Sequence, residues 1–359
     1  MESLSQTIGA NKLRIEVGDG YQDLVEIQIE QKILDLLPCL PQKIISRNPN
    51  YFNIEAPDGQ FALWLQEGRE ATLAFQLQFL KVCEIKGVKG FLYPLCLRDG
   101  RSYAKFDERR WFYLTRWPDL RKISFSKMDD VRALINLIVG FRKETANLGL
   151  LFCLPERKEH IHLIRKFQEM SKQFYSFSLL AKHRLRPTMF DQLFISFFAE
   201  IGKEVKKASN LLKNSEYPLF STNLTTQNLI IKQFSRSNLR VSDSNEAICL
   251  RFTNYRWDLP LFDLAEVLLK TGRSNKWSFD WFSQVMGEYQ SHFKLSVAEQ
   301  KLLTAYLLFP WELYHLCSRY FYNRAEWQLH TYVDKLERLL DDMPKRIGLL
   351  AEVSKNYPF

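Results

Sequence analysis

Glycine is scarce, with only 14 in 359 residues. A phosphate site cradled by a glycine-rich loop is therefore a poor expectation. Cysteines at metal-binding or redox spacing are missing as well. Cys39, Cys83, Cys96, Cys153, Cys249 and Cys317 form no Cys-x-x-Cys pair. Most sit in apolar runs such as Leu95-Cys96-Leu97, so they read as reduced core residues of a cytosolic protein. The histidines are scattered, and His160-x-His162 has no cysteine or carboxylate constellation to complete a zinc site. No run of about 18 apolar residues occurs, so no membrane-spanning helix is expected. The most apolar stretch, Leu302 to Cys317, contains Pro310 and Glu312. The opening "MESLSQTIGANK" lacks the basic start and apolar run of a signal peptide. Long blocks of lysine and arginine are absent too. The net charge of +9 comes from 50 basic and 41 acidic residues spread along the chain. That spread points to a solvated surface and not to a nucleic-acid interface.

Aromatic residues are what the chain has in plenty, 27 Phe and 15 Tyr among them. With 46% apolar and 25% charged residues it is globular, and long enough for one large or two ordinary domains with a sizeable core.

The first third carries strand signals. In "YFNIEAPDGQFALWLQ", Phe52 and Ile54 alternate before Pro57-Asp58-Gly59, and Phe61, Leu63 and Leu65 alternate after it, which predicts a hairpin. A helix over Ala71–Val82 follows, with Leu73, Leu77 and Leu80 at helical spacing. "FLYPLCLRDGRSYAKF" and "RRWFYLTRW" predict three further strands, turning at Asp99-Gly100 and at Asp107-Glu108-Arg109. An earlier helix is expected near Asp23–Leu37.

After Trp117-Pro118 the pattern becomes helical. Val131, Leu134, Ile135, Ile138 and Phe141 share a helix face, with Ser126-x-x-Asp129 as its cap and Gly149 as its end. Helical patterns cover about 157–182 and 189–214. β-like runs at Leu229–Ile231 and in "AICLRF" suggest one small hairpin. Helices resume at Asp263, and Ser296-x-x-Glu299 caps another. The expectation is an α+β chain, a small N-terminal α/β lobe with an antiparallel sheet (1–118) and a larger, mostly helical lobe (119–359).

The stretch "YPLFSTNLTTQNLIIK" has the outline of a catalytic loop. An apolar lead-in, a polar turn, Asn228 and a β-like run follow one another. Yet Ser221–Gln227 holds no carboxylate, histidine, lysine or cysteine. Read as "STNLTTQN", then "LRFT", then "NYRWDLPLFDLAEVL", these segments resemble the aminoglycoside and choline kinase-like phosphotransferases of the protein-kinase-like fold. Within that branch they resemble the spore-coat kinase-like family. That family has a loop of the type His-Gly-Asp-x-x-x-x-Asn, then Ile-Asp-Phe-Asp, then Tyr/Asp-Leu-Pro-x-x-Asp-Leu-Ala. The resemblance runs from about residue 20 through "LSVAEQKLLTAYLLFPWELYHLCSRYFYN". It implies the two-lobed kinase-like fold.

The resemblance also implies positions for the parts that phosphoryl transfer needs. The strand lysine that grips phosphates falls at Trp64. The helix that should hold its glutamate partner offers only Gln76 and Gln78 between Ala71 and Val82. The catalytic carboxylate falls at Asn223, and an amide cannot take a proton at neutral pH. The metal-binding asparagine is kept as Asn228, but the metal-binding aspartate falls at Arg251, with Thr253 in place of the second aspartate. "SRNPNYF", where the phosphate loop should be, has no glycine. Asp263 matches the aspartate that holds the catalytic-loop backbone, here Ser221–Asn228.

The expected reading is a pseudokinase with no cofactor and no bound metal. It would be made in the mother-cell cytoplasm during sporulation, partnered by other spore-coat proteins, and placed in the spore coat. Two other readings stand beside it. One is an active phosphotransferase with a divergent site, acting on a hydroxylated small molecule. The other is an anion-binding module in which Arg251 holds phosphate or carboxylate in the former metal position. Pairing of Arg251 with a nearby carboxylate is the plainer expectation.

Overall fold

The structure, a computed structural model, describes residues 15–17, 29–48, 50–146, 163–217, 220, 228–231, 234–253, 256–323 and 328–356. Asn223, Cys153, Gly149 and the His160-x-His162 pair lie outside the described residues. The chain divides into two compact units. The first comprises Met1–Arg121, Arg240–Ser244 and Ile248–Thr253, and the second Lys122–Leu239, Asn245–Ala247 and Asn254–Phe359. Two segments from beyond residue 239 thus return to the first unit.

In the first unit, β1 (Ile15–Val17), β2 (Lys43–Asn48), β3 (Tyr51–Ala56), β4 (Gly59–Glu67), β5 (Ala104–Lys105) and β6 (Arg110–Arg116) form a sheet of order β1-β2-β3-β4-β6-β5. Only β1 and β2 pair in parallel; the other neighbours are antiparallel. The predicted hairpin is β3–β4, with Ala56 opposite Gly59. Gly59 has φ +131°, a conformation closed to most side chains, so the glycine of Pro57-Asp58-Gly59 makes the tight reversal feasible. "SRNPNYF" lies at a second hairpin, between β2 and β3.

The predicted helix is α2 (Glu70–Ile85), with Leu73, Leu77 and Leu80 buried. The early helix is shorter than its pattern suggested: α1 covers Gln31–Leu34 only, and 23–28 lie outside the described residues. One sheet face packs Phe52, Ile54, Phe61, Leu63, Leu65, Phe112 and Leu114 against Ile33 and Leu37 of the α1 region. "FLYPLCLRDGRSYAKF" is mostly not strand: only Ala104–Lys105 pairs as β5, with isolated bridges at Phe91 and Pro94. Leu97 is buried, while Cys96 faces outward, which corrects its reading as a core thiol.

In the second unit, α3 (Met128–Thr145) buries Val131, Leu134, Ile135, Ile138 and Phe141 as their spacing predicts. Ser126 does not cap it. Its hydroxyl lies 3.0 Å from that of Ser124, and the carboxylate of Asp130 in the first helical turn accepts the Ser124 N–H at 2.7 Å. The helical patterns continue as α4 (Leu163–Lys182), α5 (Met189–Ser196) and α6 (Phe198–Lys213). The expected single helix over 189–214 is therefore two, broken at Phe197. A capping box fixes the start of α5, where the buried Asp191 also accepts from Arg184 and from the Tyr320 hydroxyl.

The β-like runs do not form one hairpin with each other. β8 (Asn228–Ile230) pairs antiparallel with β11 (Arg256–Asp258). β10 (Ala247–Cys249) instead joins β9 (Leu239–Ser242), which also neighbours β7 (Leu120–Lys122). Asn245, at φ +58°, sits in the β9–β10 turn, where asparagine tolerates the left-handed conformation. The remaining helices are α7 (Leu261–Ser274), α8 (Phe279–Gln290), α9 (Val297–Leu308), α10 (Trp311–Tyr322) and α11 (Leu329–Asn356). Ser296 and Glu299 form the predicted capping box of α9. No described helix is long and apolar enough to cross a membrane.

Candidate functional site

Trp64 lies mid-strand in β4, in register with Tyr51 on one side and Tyr113 on the other. The three rings share a sheet face, because directly opposed residues of neighbouring strands point the same way. Ring centroids are 4.8 Å apart for Tyr51–Trp64 and 6.4 Å for Trp64–Tyr113, and Trp117 adds a ring at 6.0 Å. Trp64 is only 1% exposed, and its indole N–H donates to the Thr115 hydroxyl at 2.9 Å. Arg251, on a segment that returns to this unit, holds its guanidinium 5.9 Å from the Trp64 ring and donates to the Leu65 carbonyl at 3.2 Å. Burial pushes the Tyr113 hydroxyl up to about 12, while the Arg251 charge pulls it back.

Next to this stack, Gln66 donates to Gln76 at 2.8 Å, so a neutral amide pair links β4 to α2. Gln76 is buried and its amide reaches the Thr253 carbonyl at 3.5 Å; Gln78 is exposed. Phe252, between Arg251 and Thr253, stacks on Phe79 of α2 at 5.1 Å. The structure therefore brings Trp64, Gln76, Arg251 and Thr253 into one packed neighbourhood of the first unit. Sequence reasoning missed Thr115 and Gln66. Both fall on the alternation of their strands that Trp64 also occupies, which is the signal that could have found them.

In the second unit Asn228 opens β8 opposite Asp258. Its side chain is spent on the protein. The amide donates to the Arg142 carbonyl at 2.9 Å, and the oxygen accepts from the Leu229 N–H at 2.8 Å and from the Thr145 hydroxyl at 3.3 Å. Asn228 thus closes the last turn of α3, whose terminal carbonyls have no partner within the helix. Asp263, in the first turn of α7, accepts the Ile231 N–H at 3.1 Å. The bond falls just beyond the Ser221–Asn228 loop expected for it and pins the strand that leaves that loop.

Beside Asn228 is a cleft of about 400 Å³ whose walls include Arg142, Lys143, Phe220, Leu259 and Phe293. Sequence reasoning missed Arg142 and Lys143; their one signal was two consecutive cations at a helix C-terminus. No group of three or more His, Cys, Asp or Glu placed to hold a metal occurs among the described residues.

Residues 181–353 match the protein family described as "Spore coat putative kinase YutH". Solved structures share the fold. An aminoglycoside phosphotransferase from Alicyclobacillus acidocaldarius subsp. acidocaldarius DSM 446 matches with a TM-score of 0.79 at 14% identity, over 92% of this chain and 96% of that one. The AMP-bound complex of a spectinomycin phosphotransferase matches with a TM-score of 0.66 at 11% identity, over 88% and 96%. Amicoumacin kinase in complex with AMP-PNP, calcium and its ligand gives 0.54 at 10%, over 89% and 92%. The chain has the α+β fold of the kinase-like phosphotransferases, and over residues 181–353 it is similar to the spore-coat kinase-like family.

Proposed function

We propose that this protein is a kinase-like component of the spore coat that binds or supports other coat proteins and does not transfer phosphate. It is made in the mother-cell cytoplasm during sporulation. The similarity of residues 181–353 to a spore-coat family supports the setting. The observation that carries the loss of activity is Trp64. The position that should present a lysine to nucleotide phosphates presents a buried indole, hydrogen-bonded to Thr115 and packed between Tyr51 and Tyr113. An indole brings no positive charge to a triphosphate, and moving it out would open a tightly packed face.

Two further features support the reading. The Gln66–Gln76 bond links strand and helix without charge, so the loss of the lysine and its glutamate partner leaves no unpaired ion in a buried place. The Asn228 amide is held by α3 and by its own strand, and it fills a structural role.

The test is direct. The melting temperature should not move when magnesium and ATP are added, since a ligand stabilises only as its concentration exceeds its dissociation constant. The Asn223→Asp variant should remain inactive, because a restored base still lacks the strand lysine and the metal-binding aspartate. A magnesium-dependent rise of several degrees, or ATP consumption that depends on an added hydroxylated acceptor, would overturn the proposal and favour an active phosphotransferase.

A further inference from the structure

We infer that the cleft at the C-terminal end of α3 is a binding site for a small organic anion, one acidic group joined to an apolar body. The inference is independent of the proposed loss of phosphotransfer, since it needs neither ATP nor magnesium.

The cations come first. Arg142 and Lys143 are consecutive on the last turn of α3, and both line the cleft. The Arg142 guanidinium lies 3.9 Å over the Phe293 ring and donates to the Tyr289 hydroxyl at 2.9 Å. Both partners are neutral. Burial raises the Tyr289 hydroxyl above its ordinary value, so it remains a phenol at physiological pH. The Lys143 ammonium is 5.7 Å from the same ring. Among the described residues neither cation is in an ion pair. Other arginines of this unit show the contrast. Arg132, on the same helix, pairs with Asp129 and Glu288, and Arg273 pairs with Asp342. A phenol and an aromatic ring fix the direction of the Arg142 guanidinium without neutralising it. An oriented, half-buried guanidinium beside an exposed ammonium suits a phosphate or carboxylate, which the guanidinium can grip through paired N–H donors.

The rest of the wall defines the body of the ligand. Phe220, Leu259, Pro260 and Leu261 supply further apolar surface to the lining. The cleft volume of about 400 Å³ falls within the range of small-molecule sites, which are mostly apolar with a few placed polar groups. Glu299 is the carboxylate on the wall, and one of its oxygens is taken by the backbone N–H and hydroxyl of Ser296 at the start of α9. Its charge disfavours a second acidic group on the ligand, so a single one beside an apolar body fits better than a polyanion.

Titration calorimetry of the full chain with phenyl phosphate tests this, with inorganic phosphate and phenol as its two halves. Phenyl phosphate should bind, and each half should bind roughly tenfold more weakly or worse, since each forfeits one set of contacts. The Lys143→Glu variant changes an exposed side chain, so its melting temperature should match the parent while its affinity falls roughly tenfold or more. Arg142→Gln should weaken binding at least as much. No heat from the parent at millimolar phenyl phosphate would overturn the inference. So would an affinity that Lys143→Glu leaves unchanged, whether or not Arg142→Gln folds.

Discussion

The indole of Trp64 donates its hydrogen to the Thr115 hydroxyl at 2.9 Å, and both side chains are sealed from solvent. Trp64 is thus part of the wall of its sheet. Trp64→Lys should lower stability by about 3–5 kcal/mol, the cost of removing a large buried aromatic, and an ammonium among the rings adds to it. Trp64→Phe keeps a ring in the stack and should cost less, losing one hydrogen bond worth about 1 kcal/mol as well as some buried area. Urea denaturation of the two variants decides the matter. A Trp64→Lys protein as stable as the parent would mean that this position opens onto water.

Asp263 is 4% exposed and takes the Ile231 N–H on its carboxylate. Asp263→Ala leaves that buried donor unmatched, at a cost of about 1–3 kcal/mol. Asp263→Asn keeps an acceptor of the same shape and should lose less. Equal melting temperatures for parent and alanine variant would show that the bond contributes nothing.

Thiol labelling should separate the cysteines by burial. Burial pushes Cys83 up to about 12 and raises Cys39 and Cys317 as well, so these thiols stay protonated and unreactive at neutral and mildly alkaline pH. Cys96 is exposed. In a Cys153→Ser background, Cys96 should react rapidly with Ellman's reagent, and Cys96→Ser should abolish the fast phase. A fast phase that survives would mean that the core opens on the labelling timescale.

Arg346 in α11 is buried at 9% exposure, and its Nε has no hydrogen-bond partner among the described residues. Burial pushes its guanidinium down to about 10, with Arg273 adding repulsion and Glu204 and Asp342 opposing it. A folded-state value below the ordinary one means that the fold disfavours the charged form; the charge therefore costs stability in full throughout the neutral range, and the cost fades only as pH rises past about 10 toward the ordinary guanidinium value. Arg346→Met should therefore leave thermal stability unchanged or raise it at neutral pH. A clear drop in melting temperature would mean that its bond to the Leu308 carbonyl and the nearby carboxylates outweigh desolvation.

Much of the fold was legible because local rules and burial agreed. The β3–β4 hairpin, the α2 leucines and the α9 capping box each rest on a short pattern that tertiary contacts reinforce. The pattern failed where a single residue decided the outcome. Nothing periodic marks Phe197 as a break between α5 and α6. Ser126 looked like a cap but turned to Ser124, and the nearby carboxylate of Asp130 took the backbone donor. The run around Cys96 is apolar enough for a core, yet the chain there is not strand and that one side chain is exposed.

By itself the sequence determined residue chemistry. It put Trp64, Gln76, Asn223, Asn228 and Arg251 at the positions where the resemblance implies the parts of a phosphotransferase, and the chemistry of each of those groups is set by its residue type. What only the tertiary structure decided is how each group is used. Trp64 and Arg251 are 187 positions apart and meet because a late segment returns to the first unit. The Asn228 amide closes the end of α3, and the same turn presents Arg142 and Lys143 to a cleft where they meet Phe293, 150 residues further along. Contacts at such separations depend on chain topology and packing, which no local pattern of side chains encodes.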